Sequence, residues 1–289
     1  MSLLDATCSE DCQDTVAAGR LALLVAISLF FGAYAFARWL WSGFCGSVDQ
    51  LWNIAPAFYS WLCVYCEPTA RGTLAAALCT VWSVRLTYNF ARKGGFHEED
   101  YRWVYMRAWF SSNFGLCCFM FWFVGIVQSL VILAFALPAY VVTLYPNVPI
   151  CYLDLVVACG LLGFIAFEAV ADQQQWNYQT HKKLAISQGR ASEAQKRGFL
   201  AEGLFRFSRH PNVFAESMVW WLFYGFAVAA SGRWLHWSIG GAVVLTLIFQ
   251  GSVDLTEKIS ASKYPMYAIY QKTTSKLIPW PAAPLAKLH

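Results

Sequence analysis

The chain has 289 residues, 58% of them hydrophobic and 13% charged, with 14 Trp, 14 Tyr and 22 Phe. A water-soluble domain carries about a quarter charged residues, so this composition excludes an ordinary soluble globule and points to an integral membrane protein. The net charge of +4 is modest, and no basic block interleaves with aromatics, which sets nucleic acid aside as a partner.

The acidic segment 1–20 lacks the basic start of a signal peptide. It carries Cys8 and Cys12, which could pair if that end is luminal. Apolar runs near the ~20-residue spanning length then follow at 21–37, 51–66, 73–90, 116–145, 152–171, 213–230 and 235–253. The second is short and contains Pro56; the long fourth run fits one tilted helix or a helix with a re-entrant piece, whose break Pro138 could mark. Cys63 and Cys66 form a C-x-x-C inside the second run, where packing as small hydrophobes or free thiols is favoured over redox chemistry. Between the fifth and sixth runs, 172–209 is polar and basic and reads as a long solvated loop. The C-terminal Lys287-Leu288-His289 is not the peroxisomal tripeptide.

Lys and Arg in the loops set orientation. One alternating set of loops holds seventeen of them, the other only Arg20, Arg71 and Arg233. The expected fold is all-α: a polytopic bundle of about seven transmembrane helices forming a single domain over 1–289. Its N-terminus is expected outside and its C-terminus in the cytoplasm.

Polar residues in the spans recur at helical spacing. Arg85, Asn89 and Arg92 share a face of the third span, and Glu168, Asp172, Gln175, Gln179 and Lys182 share one of the fifth. Asn212 and Glu216 open the sixth, while Gln250, Asp254 and Glu257 close the seventh. Asp49, Gln50 and Asn53 open the second. One such group is more often helix glue or a snorkelling side chain. Five helices with polar faces at one depth instead point to a hydrated cavity open to the cytosol, a functional hypothesis by default.

The sharpest local signal is Phe207-Ser208-Arg209-His210-Pro211-Asn212. Pro211 suits the first turn of a helix, and a helix N-terminus favours anions. Arg206, Arg209 and His210 would add charge-assisted donors for a phosphate. The alternative is a basic flank at the membrane interface.

Several motifs occur together in order: Asp49-Gln50-Leu51-Trp52, Arg85-Leu86-Thr87-Tyr88-Asn89-Phe90, Glu99-Asp100-Tyr101-Arg102-Trp103 and Ala171-Asp172-Gln173-Gln174-Gln175. Then come Gly203 to Asn212, Leu255-Thr256-Glu257-Lys258-Ile259-Ser260, Ser262-Lys263-Tyr264-Pro265 and Leu277-Ile278-Pro279-Trp280. Over residues 40–281 this resembles the polytopic membrane family classed with the C-terminal domain of steroid 5-alpha-reductases. That wider group includes sterol reductases, which bind NADPH, and isoprenylcysteine carboxyl methyltransferases, which bind S-adenosylmethionine.

The resemblance implies cofactor contact by Asp172, Asn212, Glu216, Glu257, Lys263 and Tyr264, with Arg92 as a further match. Gln175, Gln179, Lys182, Arg206, Arg209, His210 and Asp254 join that set from the polar faces and the phosphate reading. Where steroid reductases have an arginine seven residues after the matched aspartate, this chain has Gln179, and the residues that hold the steroid 3-oxo group have no match. The expected activity is NADPH-dependent reduction of a lipophilic, sterol-, steroid- or isoprenoid-like double bond, with Tyr88, Asp49 and Tyr101 as candidate proton donors. Its partners would be the lipid bilayer and a lipophilic small molecule, its location the endoplasmic reticulum membrane, and no metal is expected. The alternatives are an S-adenosylmethionine-dependent membrane methyltransferase and a non-catalytic lipid-binding protein.

Overall fold

The computed structural model describes the backbone of residues 3–281 and the side chains of residues 13–281. Within them the chain is helical: α1 (Leu3–Ser42), α2 (Ser47–Cys66), α3 (Ala70–Arg92), α4 (Arg102–Arg107) and α5 (Asn113–Phe119) come first. A π-helical stretch, Met120–Gln128, joins α5 to α6 (Ser129–Thr143). After α7 (Tyr152–Ser187) and α8 (Glu193–Lys196) comes a 3-10 turn, Gly203–Arg206. The long helices α9 (Pro211–Ser231) and α10 (Ile239–Lys263) and the short α11 (Tyr267–Thr273) complete the order.

Among the described residues five helices are long and apolar enough to cross a membrane: Gln13–Ser42, Asn113–Thr143, Tyr152–Ser187, Pro211–Ser231 and Ile239–Lys263. Their length and composition are those of an integral membrane protein. The expected second and third spans do form helices, of 20 and 23 residues, but they fall outside that set. Asp49, Gln50 and Asn53 dilute α2, and Arg71, Arg85, Asn89 and Arg92 dilute α3.

The structure decides between the two readings of the fourth run and corrects the loop expected over 172–187. Pro138 lies inside α6 without breaking it, since spanning helices tolerate Pro where neighbouring groups satisfy the freed carbonyl. Residues 172–187 are not loop but the last turns of α7, because a polar stripe at helical spacing can continue a helix with no apolar signal to announce it. The acidic N-terminal segment is helical from Leu3. Pairing of Cys8 with Cys12 lies outside the described side chains. Cys63 and Cys66 are free thiols, the first buried.

The described chain divides into two compact units. The first comprises Met1–Cys159 with Trp221–Val244, the second Gly160–Trp220 with Leu245–His289. In the first, α2 packs on α3 and α6, and α1 packs on the π stretch and α6. Gly32 of α1 sits so close to Gly125 that a Cβ there would lie 1.7 Å from the Gly125 carbonyl oxygen. Beside that contact Ser28 Oγ donates to the Ser129 carbonyl at 2.7 Å. At another end of this unit, Arg71 forms a two-pronged ion pair with Asp154, Nε–Oδ1 2.7 Å and Nη2–Oδ2 2.8 Å.

The second unit is held by polar and aromatic contacts. Phe199, Ala201, Tyr267 and Tyr270 form a buried cluster, and Phe199 stacks on Tyr270 at 5.0 Å. Gly198 adopts φ +93° directly under Tyr264, where a Cβ would meet the ring at 2.0 Å, so only glycine fits.

Candidate functional site

The N-terminus of α9 is the meeting point of the second unit. Pro211 occupies the first helical position, as the sequence predicts, because its missing N–H would have no intrahelical partner there. Just before it, Arg209 and His210 both turn onto one carboxylate, Glu257 of α10. Arg209 Nε lies 2.6 Å from Glu257 Oε1 and Nη2 lies 3.1 Å from Oε2. His210 Nε2 lies 3.0 Å from Oε1, and Gln271 of α11 donates to Oε2 at 2.9 Å. Arg209 Nη1 also donates to the carbonyls of Gln271 and Thr274. Four of its five N–H groups are thereby used within the chain.

The same segment is tied to the strand-like stretch after α11. Arg209 N donates to the Ser275 carbonyl at 2.8 Å, and Ser208 Oγ donates to the Leu277 carbonyl at 2.6 Å. Tyr270 donates its hydroxyl to the Phe205 carbonyl at 2.5 Å, and burial pushes that phenol above its ordinary titration range.

From the other side α7 approaches. Phe164 meets Phe214 of α9 edge-on at 5.9 Å, one turn before Glu168. Gln174 Oε1 accepts from the Leu204 amide at 2.9 Å, Tyr178 donates to the Ala194 carbonyl at 3.0 Å, and Lys182 Nζ donates to the Gly198 carbonyl at 2.8 Å. The stripe predicted on α7 therefore does two things. Its far end, Lys182, clamps a loop and lies over the Tyr178 and Tyr264 rings. Its near end is buried.

Four carboxylates of this unit are nearly inaccessible: Glu168 and Asp172 at 4%, Glu257 at 6% and Glu216 at 9% exposure. Glu216 Oε1 accepts from the Trp220 indole at 2.9 Å. Gln175, one turn past Asp172, has a buried side-chain oxygen with no hydrogen-bond partner among the described residues. Burying polar groups is costly unless they are matched, so these side chains make up a polar interior within the unit.

The remaining sequence-predicted residues fall elsewhere. Asp254 is exposed and paired with Lys276 at 2.6 Å, so it does not join the buried group. Lys263 and Arg206 are exposed, Asn212 and Gln179 half-buried. Tyr264 packs against Phe199 at 6.3 Å. Tyr88, Asp49, Tyr101 and Arg92 all belong to the first unit. Tyr88 and Tyr101 are exposed there, and Arg92 lies over the Tyr88 ring while its guanidinium bonds Asn89 at 2.8 Å. Asp49 Oδ2 accepts from the Trp103 indole at 2.8 Å. Burial raises its titration to about 6, opposed by that hydrogen bond and by Arg102.

Sequence reasoning missed Gln271 and Ser208 as members of the α9 cluster, and it kept Arg209 and Glu257 as separate ligands. They are 48 residues apart, and no local pattern links them. Among the described residues no group of His, Cys, Asp and Glu has the arrangement of a metal site.

Comparison with known proteins matches residues 35–274 to the family described as "Protein of unknown function (DUF1295)". The chain is 35% identical over 268 residues to "Uncharacterized protein C594.04c" of Schizosaccharomyces pombe, covering 88% of this chain and 78% of that protein. No solved structure matches. The chain belongs to the DUF1295 family.

Proposed function

We propose that the second unit binds the cofactor of a membrane-embedded, NADPH-dependent reductase acting on a lipophilic double bond, of sterol, steroid or isoprenoid character. One observation carries this reading: the buried stripe of α7, where Glu168, Asp172 and the unmatched Gln175 oxygen lie together on one helix face. An orphaned buried acceptor fits a ligand that brings N–H donors, such as an adenine amine or a carboxamide. Asp172 and Gln175 would accept from those groups. Exposed Arg206, which makes no hydrogen bond or ion pair among the described residues, would meet a phosphate. The cofactor supplies hydride; the chain orients it and excludes water. The proposal concerns the cofactor end of the reaction and assigns no proton donor.

A second reading has an observation of its own. Arg209, the most phosphate-like donor in the sequence, is already neutralised by Glu257. A cofactor without phosphates, S-adenosylmethionine, would suit such a site, and the activity would then be methyl transfer. The same neutralised cluster suits a non-catalytic lipid-binding protein that merely keeps the fold.

The proposal includes an orientation with the N-terminus outside and the C-terminus cytoplasmic, supported by the seventeen-to-three loop bias. It includes residence in the endoplasmic reticulum by the family resemblance. Whether or not α2 and α3 cross the bilayer, they form a helical pair and leave this orientation unchanged.

The test is thermal unfolding in detergent with NADPH, NADH and S-adenosylmethionine. A cofactor at 100 times its Kd adds ~2.7 kcal/mol. We expect NADPH to raise the midpoint of the parent, Asp172→Asn to keep its apo midpoint but lose most of that shift, and Arg206→Ala to weaken NADPH several-fold. Equal NADPH shifts, with a lower apo midpoint in Asp172→Asn, would make Asp172 structural. A shift with S-adenosylmethionine alone would transfer the site to the methyltransferase reading. No shift with any of the three would sink both enzymatic readings.

A further inference from the structure

The stretch after α11 carries an exposure that its backbone does not leave to chance. Residues 275–280 are pinned to residues 207–209 by Arg209 N to the Ser275 carbonyl, Ser208 Oγ to the Leu277 carbonyl, and Trp280 N to the Phe207 carbonyl at 2.9 Å. Yet two of the three large apolar side chains of this fixed strap face outward, Ile278 65% and Trp280 70% exposed, while Leu277 is half-buried. With Lys272, Thr274 and Ser275 they line an open concavity. Fixing a segment costs conformational entropy, so a strap held by three hydrogen bonds with its Trp turned out is aimed at something.

Its chemistry specifies the partner. From 258 to 281 the chain has four lysines and no acid. The nearest carboxylates before it are consumed: Asp254 by Lys276, and Glu257 under Arg209. The strap lies shortly after α10, a helix long and apolar enough to span a membrane. A tryptophan with lysines four and eight residues before it, in the basic segment that follows a span, has the composition that sits at the headgroup level. Each lysine near an anionic leaflet contributes there about 1 kcal/mol.

We propose that residues 272–281 form an interfacial anchor for an anionic lipid surface. Ile278 and Trp280 enter the headgroup region, and Lys272 meets a lipid phosphate at the rim of the concavity. The anchor would fix the α11 end of the second unit against the bilayer. It is independent of which cofactor, if any, that unit binds.

The experiment is photocrosslinking in nanodiscs of phosphatidylcholine alone or mixed with phosphatidylserine. A benzoylphenylalanine replaces Ile278 or Trp280 in the full chain, and adducts are read by mass spectrometry. Leu247, exposed in the middle of α10, serves as the lipid-contacting control, and Gly189 as the aqueous one. Lipid adducts at 278 and 280, enriched in phosphatidylserine, support the anchor. In a Lys272→Gln background that enrichment is expected to fall about fivefold, the factor for one lysine at an anionic surface. The anchor is overturned by adducts at 278 and 280 with residues 282–289 or with a second copy of the chain. Failure of both positions to label lipid while Leu247 labels it overturns it equally. Lipid labelling without phosphatidylserine enrichment overturns the anionic specificity.

Discussion

Two buried arginine–carboxylate pairs hold the two units, and they are built alike up to a point. Arg71 and Arg209 each present the guanidinium fork to both oxygens of a carboxylate, and each spends further N–H groups on two backbone carbonyls. For Arg71 those are Val148 and Pro149, at 3.1 and 2.7 Å. For Arg209 they are Gln271 and Thr274. The Arg71–Asp154 side chains are 2% and 0% exposed, against 8% each for Arg209–Glu257. The first pair is closed, one cation to one anion, and Asp154 also accepts from the Cys151 amide at 2.8 Å. The second is crowded: Glu257 receives His210 and Gln271 besides Arg209. The closed pair lies in no motif and acts as a staple between α3 and the start of α7. The crowded one lies within the most specific motifs of the chain and joins three segments.

The comparison breaks most visibly at Arg71. Arg71→Met would leave Asp154 charged and almost wholly buried, a change that costs about 3–5 kcal/mol. We expect a large fall in the unfolding midpoint in detergent. The double variant Arg71→Met/Asp154→Leu should recover most of it, because removing both charges also removes the desolvation cost. If the single variant melts like the parent, the pair is not the staple of the first unit.

A smaller effect should follow at the second pair. Glu257→Gln keeps an oxygen for Arg209 and His210 but removes the charge, and Arg209 retains its two carbonyl acceptors. Hydrogen bonds to charged groups contribute about 1.5–3 kcal/mol each, and the residual exposure lets water replace part of that. A loss of about 2–3 kcal/mol is expected, below that of Arg71→Met. Equal losses would mean that the crowding around Glu257 is structural redundancy. A negligible apo loss, with cofactor stabilisation abolished, would make Glu257 a ligand first.

These pairs also mark the limit of what the sequence makes legible. Each of the seven apolar runs became part of a helix, since hydrophobic length is a local property. Pro211 was placed at the start of α9 for an equally local reason, the missing N–H. The end of α7 was legible by one signal and hidden from another: the polar stripe at helical spacing reached Lys182, while hydropathy alone read Asp172 to Ser187 as loop. The pairs were not legible. Arg71 and Asp154 are 83 residues apart, and nothing near either one signals the other. The i, i+4, i+7 spacing did find Glu168, Asp172 and Glu257 as buried groups. It also offered Asp254, which shares that spacing yet turns outward to Lys276.

The smallest effect expected comes from a carboxylate with no fork at all. Asp49, on the first turn of α2 and outside the five apolar spans, is held by the Trp103 indole alone. Arg102 lies close enough to lower its titration, but burial outweighs both and raises it to about 6. In the unfolded chain an aspartate titrates near 3.9. The folded state therefore holds this proton more tightly than the unfolded state does. By linkage, stability should increase as pH falls through about 6 toward 4, and decline as pH rises through about 6. This is the reverse of a carboxylate in an ion pair. In the parent other groups titrate over the same range, so the measurement is a difference between the parent and Asp49→Asn. Asparagine keeps an oxygen to accept from Trp103 and cannot ionise. At about pH 8 the variant should be the more stable by about 1–2 kcal/mol, allowing for partial solvation of the carboxylate. Only below about pH 4, where the carboxyl is protonated in both folded and unfolded chains, should the two midpoints converge. A constant difference between parent and variant from about pH 5 to about pH 8 would show that Asp49 is charged throughout, held by Arg102 in a third ion pair.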